Sequence, residues 1–270
     1  MSFLRLDARE LLPELRSELA GLLGTLSAAD WARATACPAW SVHDVAAHLL
    51  GVEIGSVSVR RDHWGRGPGP ADDPDAWLDG FNQQWVAAAQ RISPAQLAEL
   101  IDVSGRRFED YVRTLDIDAT GAPVAWATGE QPAPVWLDVA REYMERYVHQ
   151  HQIRVACQRP PLAPRFAVPV VQAAVHSLPL ALAAVSRPAG TIVSFIVGDD
   201  QRTAWQLTAA HGGWELASRE AGAPAACEIH ATLDGAIRSF VRDPAAPALA
   251  WRGDRALAEA VSRAKAIIGS

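Results

Sequence analysis

The sequence predicts a mainly α N-terminal part, a four-helix bundle over residues 1–158, and a smaller α+β domain over 167–270. Three observations predict it. Apolar residues recur at helical spacing through long, capped segments of the first part. Arg159-Pro160-Pro161-Leu162-Ala163-Pro164 then breaks the pattern with three prolines in five residues, so 159–166 reads as a stiff linker. Beyond it, short runs rich in β-branched and aromatic residues are separated by turn signals.

Each element has its own warrant. Residues 11–26 carry Leu, Ala, Glu and Arg at helical spacing. The turn Ala36-Cys37-Pro38-Ala39-Trp40 leads to Ser41, a good N-cap with Asp44 at the capping-box position; Trp40 and Val45 are placed to form a hydrophobic staple. This helix is predicted to run to about Val59. Residues 65–74, rich in Gly, Pro and Asp, read as a loop, and a helix follows over 77–91. Ser93-Pro94 opens another, with serine as cap and proline at the first helical position, running to Leu115. Residues 121–134 read as a loop and 135–157 as a long helix. In the second part, 167–185 reads as a buried helix, 191–197, 204–209, 214–217, 228–232 and 248–251 as strands, and 234–241 and 255–268 as helices. His211-Gly212-Gly213 reads as a hairpin turn.

Composition narrows the function classes. The chain has 270 residues, 49% hydrophobic and 21% charged, as a soluble globular protein has. Its formal net charge is −6, without a basic block, which argues against a general nucleic-acid binder. Lys265 is the only lysine, and the arginine- and alanine-rich usage suggests a GC-rich bacterial genome. Three distant cysteines (Cys37, Cys157, Cys227) with no CxxC predict a reducing cytoplasm rather than a disulfide framework. No signal-peptide pattern is read at the N-terminus, and no apolar run is read as a membrane span.

The chemistry-bearing residues are His48 on one predicted helix and the Glu145-x-x-x-His149 pair on another. Residues four apart share a helix face, so Glu145 and His149 can hold one metal ion, with His48 as a third ligand from a facing helix. Three protein ligands and an open position define a catalytic metal site. Two plainer readings compete. Asp138, Glu142, Glu145, His149 and Gln152 form a polar stripe that would suit a solvated face, leaving Trp136, Ala140, Tyr143, Tyr147 and Val148 for the core. His48 borders an apolar face, where a histidine bonded to a backbone carbonyl would also fit. Asn82 and Trp85 share a helical face and are candidates to line a pocket. Cys37, in its turn, is a candidate neighbour of the metal.

Thr35-x-Cys37-Pro38-Ala39-Trp40-Ser41-Val42-x-Asp44-Val45-x-x-His48-Leu49 resembles the signature of the mycothiol-dependent maleylpyruvate isomerase family, among the DinB-like metal-binding bundles. Glu145-x-x-x-His149 with Ile153-Arg154 resembles its second signature. The resemblance implies a divalent metal, zinc first, with nickel, manganese or iron as alternatives, on His48, Glu145 and His149. It also implies mycothiol or another low-molecular-weight thiol as co-substrate, a small electrophile as substrate, and a C-terminal domain related to sterol-carrier-type folds. Where many members have aspartate three residues after the second histidine, this chain has Gln152. Arg60, Arg61, Arg66 and Arg154 are candidates for a substrate-binding arginine, Arg154 joining Asn82 and Trp85 in the thiol or substrate pocket. The activity implied is isomerisation or S-transfer: a thiolate adds to a conjugated double bond, which then rotates before elimination, or the adduct is kept. A metal-dependent hydrolase with the same triad and a non-catalytic metal- or ligand-binding regulatory module are the alternatives.

Overall fold

Val42 begins the helix that carries His48, and its start is fixed by sequence. The Ser41 side chain accepts from the Asp44 backbone N–H, and Asp44 reaches back to the Ser41 N–H, a complete capping box. The computed structural model describes residues 4–65, 69, 73–198, 203–219, 222 and 224–266. The chain divides into two compact units, each built from separated segments. Among the described residues, one contains those of Ala8–Asp116 and Glu145–Leu162; the other contains those of Ile117–Met144, of Ala163–Ile267 and of the segment before Ala8.

The first unit is helical. It contains α1 (Leu12–Leu23), the short α2 (Ala28–Trp31), α3 (Val42–Ser56), α4 (Pro74–Ala89) and α5 (Pro94–Arg113). Helix α3 packs on α4 and α5, and α5 on α1. Its core joins Leu19, Leu22 and Leu23 to Val42, Val45, Leu49 and Leu50, with Leu97, Ile101 and Ile153. The predicted end of α3 near Val59 becomes one π-helical turn, Val57–Arg61, closed by the Asp62 N–H donating to the Val57 carbonyl. The loop predicted over 65–74 falls largely outside the described residues.

The second unit holds α6 (Ala125–Thr128) and the two-residue strands β1 (Thr120–Gly121) and β2 (Ala133–Pro134), so the loop predicted over 121–134 contains structure. Helix α7 (Val135–Ala156) begins in this unit and ends in the first. Next come α8 (Pro164–Ala174), a 3-10 turn (Val175–Ser177) and α9 (Leu178–Leu182). The single helix predicted over 167–185 is therefore broken, because Pro179 has no N–H to continue the ladder. Pro164, placed in the linker by sequence, is the first residue of α8. The stretch Pro164–Leu182 does have the length and hydropathy of a membrane span, contrary to the sequence reading, but 67% of it is buried inside the protein, as in a core helix.

The remaining elements are β3 (Ile192–Val197), β4 (Thr203–Ala210), β5 (Gly213–Ser218), β6 (Cys227–Ala231), α10 (Leu233–Phe240), β7 (Ala250–Gly253) and α11 (Arg255–Ser262). All five strands lie within three residues of their predicted positions. They form one mixed sheet of order β5-β4-β3-β6-β7. β3 and β6 are parallel and every other pair is antiparallel. The β4–β5 hairpin turns at His211-Gly212, with Gly212 at φ 111° and Gly213 at φ 147°, values that glycine adopts without a Cβ penalty. Helices α10 and α11 pack on β6. The architecture is thus a helical N-terminal part with a sheet domain after it. Helix α11 ends at Ser262, before the predicted 268; residues 267–270 lie outside the described residues.

Candidate metal centre

Helix α7 is buried on every side through its middle, from Glu142 to Gln150. Tyr143, Met144, Tyr147 and Val148 are buried, and so are Glu142, Glu145, Arg146, His149 and Gln150. The reading of Glu145 and His149 as a solvated pair is therefore overturned: they are 7% and 8% exposed, and His48 is 4% exposed. Carboxylates and imidazoles kept this dry need partners.

They are one another's partners. His48 Nε2 lies 2.9 Å from Glu145 Oε1, and His149 Nε2 lies 3.1 Å from the same oxygen. Their three ligand atoms lie within 4.8 Å of one another, and among the described residues they are the group of His, Cys, Asp and Glu placed to hold a metal ion. Two imidazole nitrogens and one carboxylate oxygen are a donor set suited to zinc and other first-row divalent ions.

The hydrogen bonds assign the protons. Gln152 Oε1 lies 2.8 Å from His149 Nδ1, and a carbonyl oxygen can only accept, so Nδ1 carries a proton. His149 Nε2 faces a carboxylate oxygen and donates as well. An imidazole donating from both nitrogens is an imidazolium. Burial by itself would lower the His149 pKa, but the Glu145 charge, with the hydrogen bonds His149 makes to Cys37 and Glu145, outweighs it and pushes the value up to about 10. Burial likewise works against the charge on Glu145, and the two histidines more than offset it, holding its pKa well below the usual range.

The loop before α3 closes around this group. Cys37 Sγ lies 3.1 Å from Gln152 Oε1 and 3.9 Å from His149 Nδ1. The Thr35 N–H and hydroxyl both donate to the Trp40 carbonyl, and the Cys37 N–H donates to Thr35 Oγ1. Ala39 adopts φ 64°, a left-handed conformation that a non-glycine residue takes at a cost of about 1 kcal/mol. The turn sets Trp40 on the His48 ring, centroids 5.0 Å apart. Trp40 packs against the same core as Val45, and it also covers His48, a role the staple pattern alone does not disclose.

The other candidates are placed as follows. Trp85 lies against α3 at Gly51, where a Cβ would come within 2.6 Å of its ring, three residues beyond His48. Asn82 is half-buried on the same helix. Arg154 is not brought to the triad: its guanidinium donates to Glu18 and to the Pro160 carbonyl, closing the end of α7. Arg61 pairs with Asp62, and Arg66 lies outside the described residues. His43 bonds the Ile92 carbonyl, His176 the Leu4 carbonyl, and His151 stacks on Tyr147.

Gln152 holds the ring of His149 so that Nε2 faces His48 and Glu145. Gln152→Leu is expected to weaken divalent-metal affinity on the order of tenfold, the lower end for such outer partners, because its carbonyl is neutral. Competition with a chromophoric chelator measures it, and unchanged affinity would remove this role.

Two imidazoles and a carboxylate brought together from facing helices are an arrangement that could hold an ion, and helical bundles build such sites from side chains on facing helices. Residues 12–154 match the sequence model described as the mycothiol maleylpyruvate isomerase N-terminal domain. The match covers more than half of the chain, and the protein belongs to that family. Two solved structures share its fold. One is a mycothiol-dependent maleylpyruvate isomerase, with a TM-score of 0.56 and 12% identity, covering 93% of this chain and 96% of that one. The other is a point mutant of a mycothiol-dependent maleylpyruvate isomerase, with a TM-score of 0.54 and 13% identity, covering 88% and 91%. No curated protein sequence matches the chain.

Proposed function

We propose that the protein is an enzyme using a low-molecular-weight thiol of the mycothiol type to isomerise, or to transfer sulfur to, a small electrophile. A divalent metal held by His48, Glu145 and His149 assists it. The observation that carries the reading is the convergence of those three buried ligand atoms within 4.8 Å in a member of this family. Such an ion, when bound, lowers the pKa of a coordinated thiol or water. Zinc suits the donor set best; nickel, manganese and iron also suit it.

The chain's own groups have separate tasks. Glu145 supplies the negative charge that offsets the ion, Gln152 fixes the tautomer of His149, and Trp40 keeps solvent from His48. Trp85, beside α3, is the first candidate wall for an organic substrate, with Asn82 on the same helix. In the isomerase reaction the thiol sulfur adds to one carbon of a conjugated double bond. Rotation about the resulting single bond and loss of the sulfur then return the thiol unchanged. In the transferase reaction the adduct is kept. In this reading residues 1–158 hold the metal, and 167–270 form a sterol-carrier-type domain after the 159–166 join. The three cysteines suit a reducing cytoplasm.

The test is turnover of maleylpyruvate and related conjugated cis acids by zinc-loaded protein, with and without mycothiol, followed by chromatography. The expected result is conversion only when thiol is present. Conversion without thiol would transfer the triad to water activation and a hydrolase. Metal binding with no conversion across the panel would leave a binding module.

A further inference from the structure

On the face of α7 next to the triad, the interior of the first unit contains a second polar group of residues. Gln150 is completely buried, and neither its side-chain nitrogen nor its oxygen has a hydrogen-bond partner in the protein. Leaving both ends of an amide unmet in a protein interior costs on the order of 1–3 kcal/mol for each group. A leucine or methionine of similar size would carry no such cost, so the glutamine calls for a physical account.

Gln150 borders a cavity of about 10 Å³ that is also lined by Glu53, Arg146, Arg16, Glu109 and Phe108. That is close to the smallest volume that admits one water molecule. Glu53, on α3, is 3% exposed, and one of its oxygens accepts from the Ser104 hydroxyl. Its other oxygen lies 3.7 Å from Arg146 Nε, too far for a direct hydrogen bond and the right span for a bridged one. The Arg146 guanidinium carbon lies over the Phe108 ring, 3.9 Å from its centroid, a contact that helps hold the guanidinium in place. Arg16 is engaged by Glu109 at 2.6 Å and also by Asp102. Burial pushes the Glu53 carboxyl up to about 7 against the opposing pull of Arg146 and Ser104. The protein groups around it therefore do not restore the hydration that it lost.

We infer that this cavity is a hydration site holding one long-lived water molecule, bound by the Gln150 amide and bridging the Glu53 carboxylate and the Arg146 guanidinium. The charge balance selects a neutral guest. Two guanidiniums disfavour a cation, and two carboxylates disfavour an anion. Water both donates and accepts, as the unmet ends of Gln150 require. The bridge ties α7 to α3 on the face next to the triad, and the inference stands whether or not the triad binds metal.

Two measurements test it on the whole chain. In nitrogen-15-labelled protein, the Gln150 side-chain amide protons are expected to show cross-relaxation with water of the sign that marks slow exchange. A high-resolution crystal structure is expected to show one peak within hydrogen-bond distance of Gln150 and of Glu53 or Arg146. Gln150→Met, checked for folding by circular dichroism, is expected to lose that peak. A Gln150 amide bonded directly to a protein group, or without cross-relaxation to water, would overturn the inference. So would an anomalous signal from an ion at the peak, or a peak that persists unchanged in Gln150→Met.

Discussion

Glu145→Ala is expected to reduce bound divalent metal from about one equivalent to a trace, with affinity falling by roughly two to three orders of magnitude. A three-ligand site whose binding is worth on the order of 10 kcal/mol loses about a third of it with one ligand, and every 1.4 kcal/mol is a factor of ten. Glu145 is also the only anion of the set, so its removal leaves two imidazoles to face a dication in a buried space. Elemental analysis of untagged protein, beside His48→Ala and His149→Ala, makes the measurement. Glu145→Gln keeps the shape while removing the charge, and it should lose metal with its circular dichroism spectrum intact. Wild-type metal content in Glu145→Gln or in His149→Ala would show that the ligand set is misassigned.

The triad was readable from sequence because it follows helix geometry. A four-residue spacing puts Glu145 and His149 on one face, and the capping box fixes where α3 begins and hence where His48 points. What periodicity could not show was which face of α7 is dry. The stripe through Asp138, Glu142, Glu145 and His149 has the composition of a solvated surface. Yet Glu142 is 2% exposed, and Arg141, itself bonded to Asp138, reaches it with its guanidinium. A helix buried on nearly every side breaks the rule that polar means outward, and only tertiary contacts reveal it. The network of Glu53, Arg146 and Gln150 was missed for the same reason. Its one trace in the sequence is a lone glutamate within the apolar run Leu49-Leu50-Gly51-Val52-Glu53-Ile54. Arg154 fails differently. Its place in a motif suggests the site, but it lies five residues beyond His149, about 140° around the helix, and its partners are Glu18 and Pro160. In the sheet domain, by contrast, runs rich in β-branched and aromatic residues between turn signals located the five strands; β4 and β5 bury one face each, and the hairpin between them needs positive φ at Gly212 and Gly213.

Metal uptake should release a proton, and the apparent affinity should rise about tenfold per pH unit, roughly a hundredfold between about pH 6 and pH 8. The metal-free geometry requires this. His149 donates from both ring nitrogens and is charged, so a metal can take Nε2 only after its proton leaves. The sign follows from the direction of the shift. The folded pKa of His149 is raised to about 10 from the ordinary histidine value of 6.5 by the Glu145 charge beside it. The competing proton is therefore held throughout the neutral range and is lost only as pH rises through 10, above which the affinity levels off. The same shift stabilises the metal-free protein. That contribution is fully present below the unfolded value of 6.5 and fades as pH rises toward 10. Titration calorimetry in buffers of different ionisation enthalpy should count about one proton released per metal near neutrality. In the metal-free protein, Glu145→Gln should remove most of this pH dependence of stability with the charge that causes it. A proton count near zero in the wild type would mean that His149 is already neutral, and that the Glu145–His149 contact is not the ion pair described above.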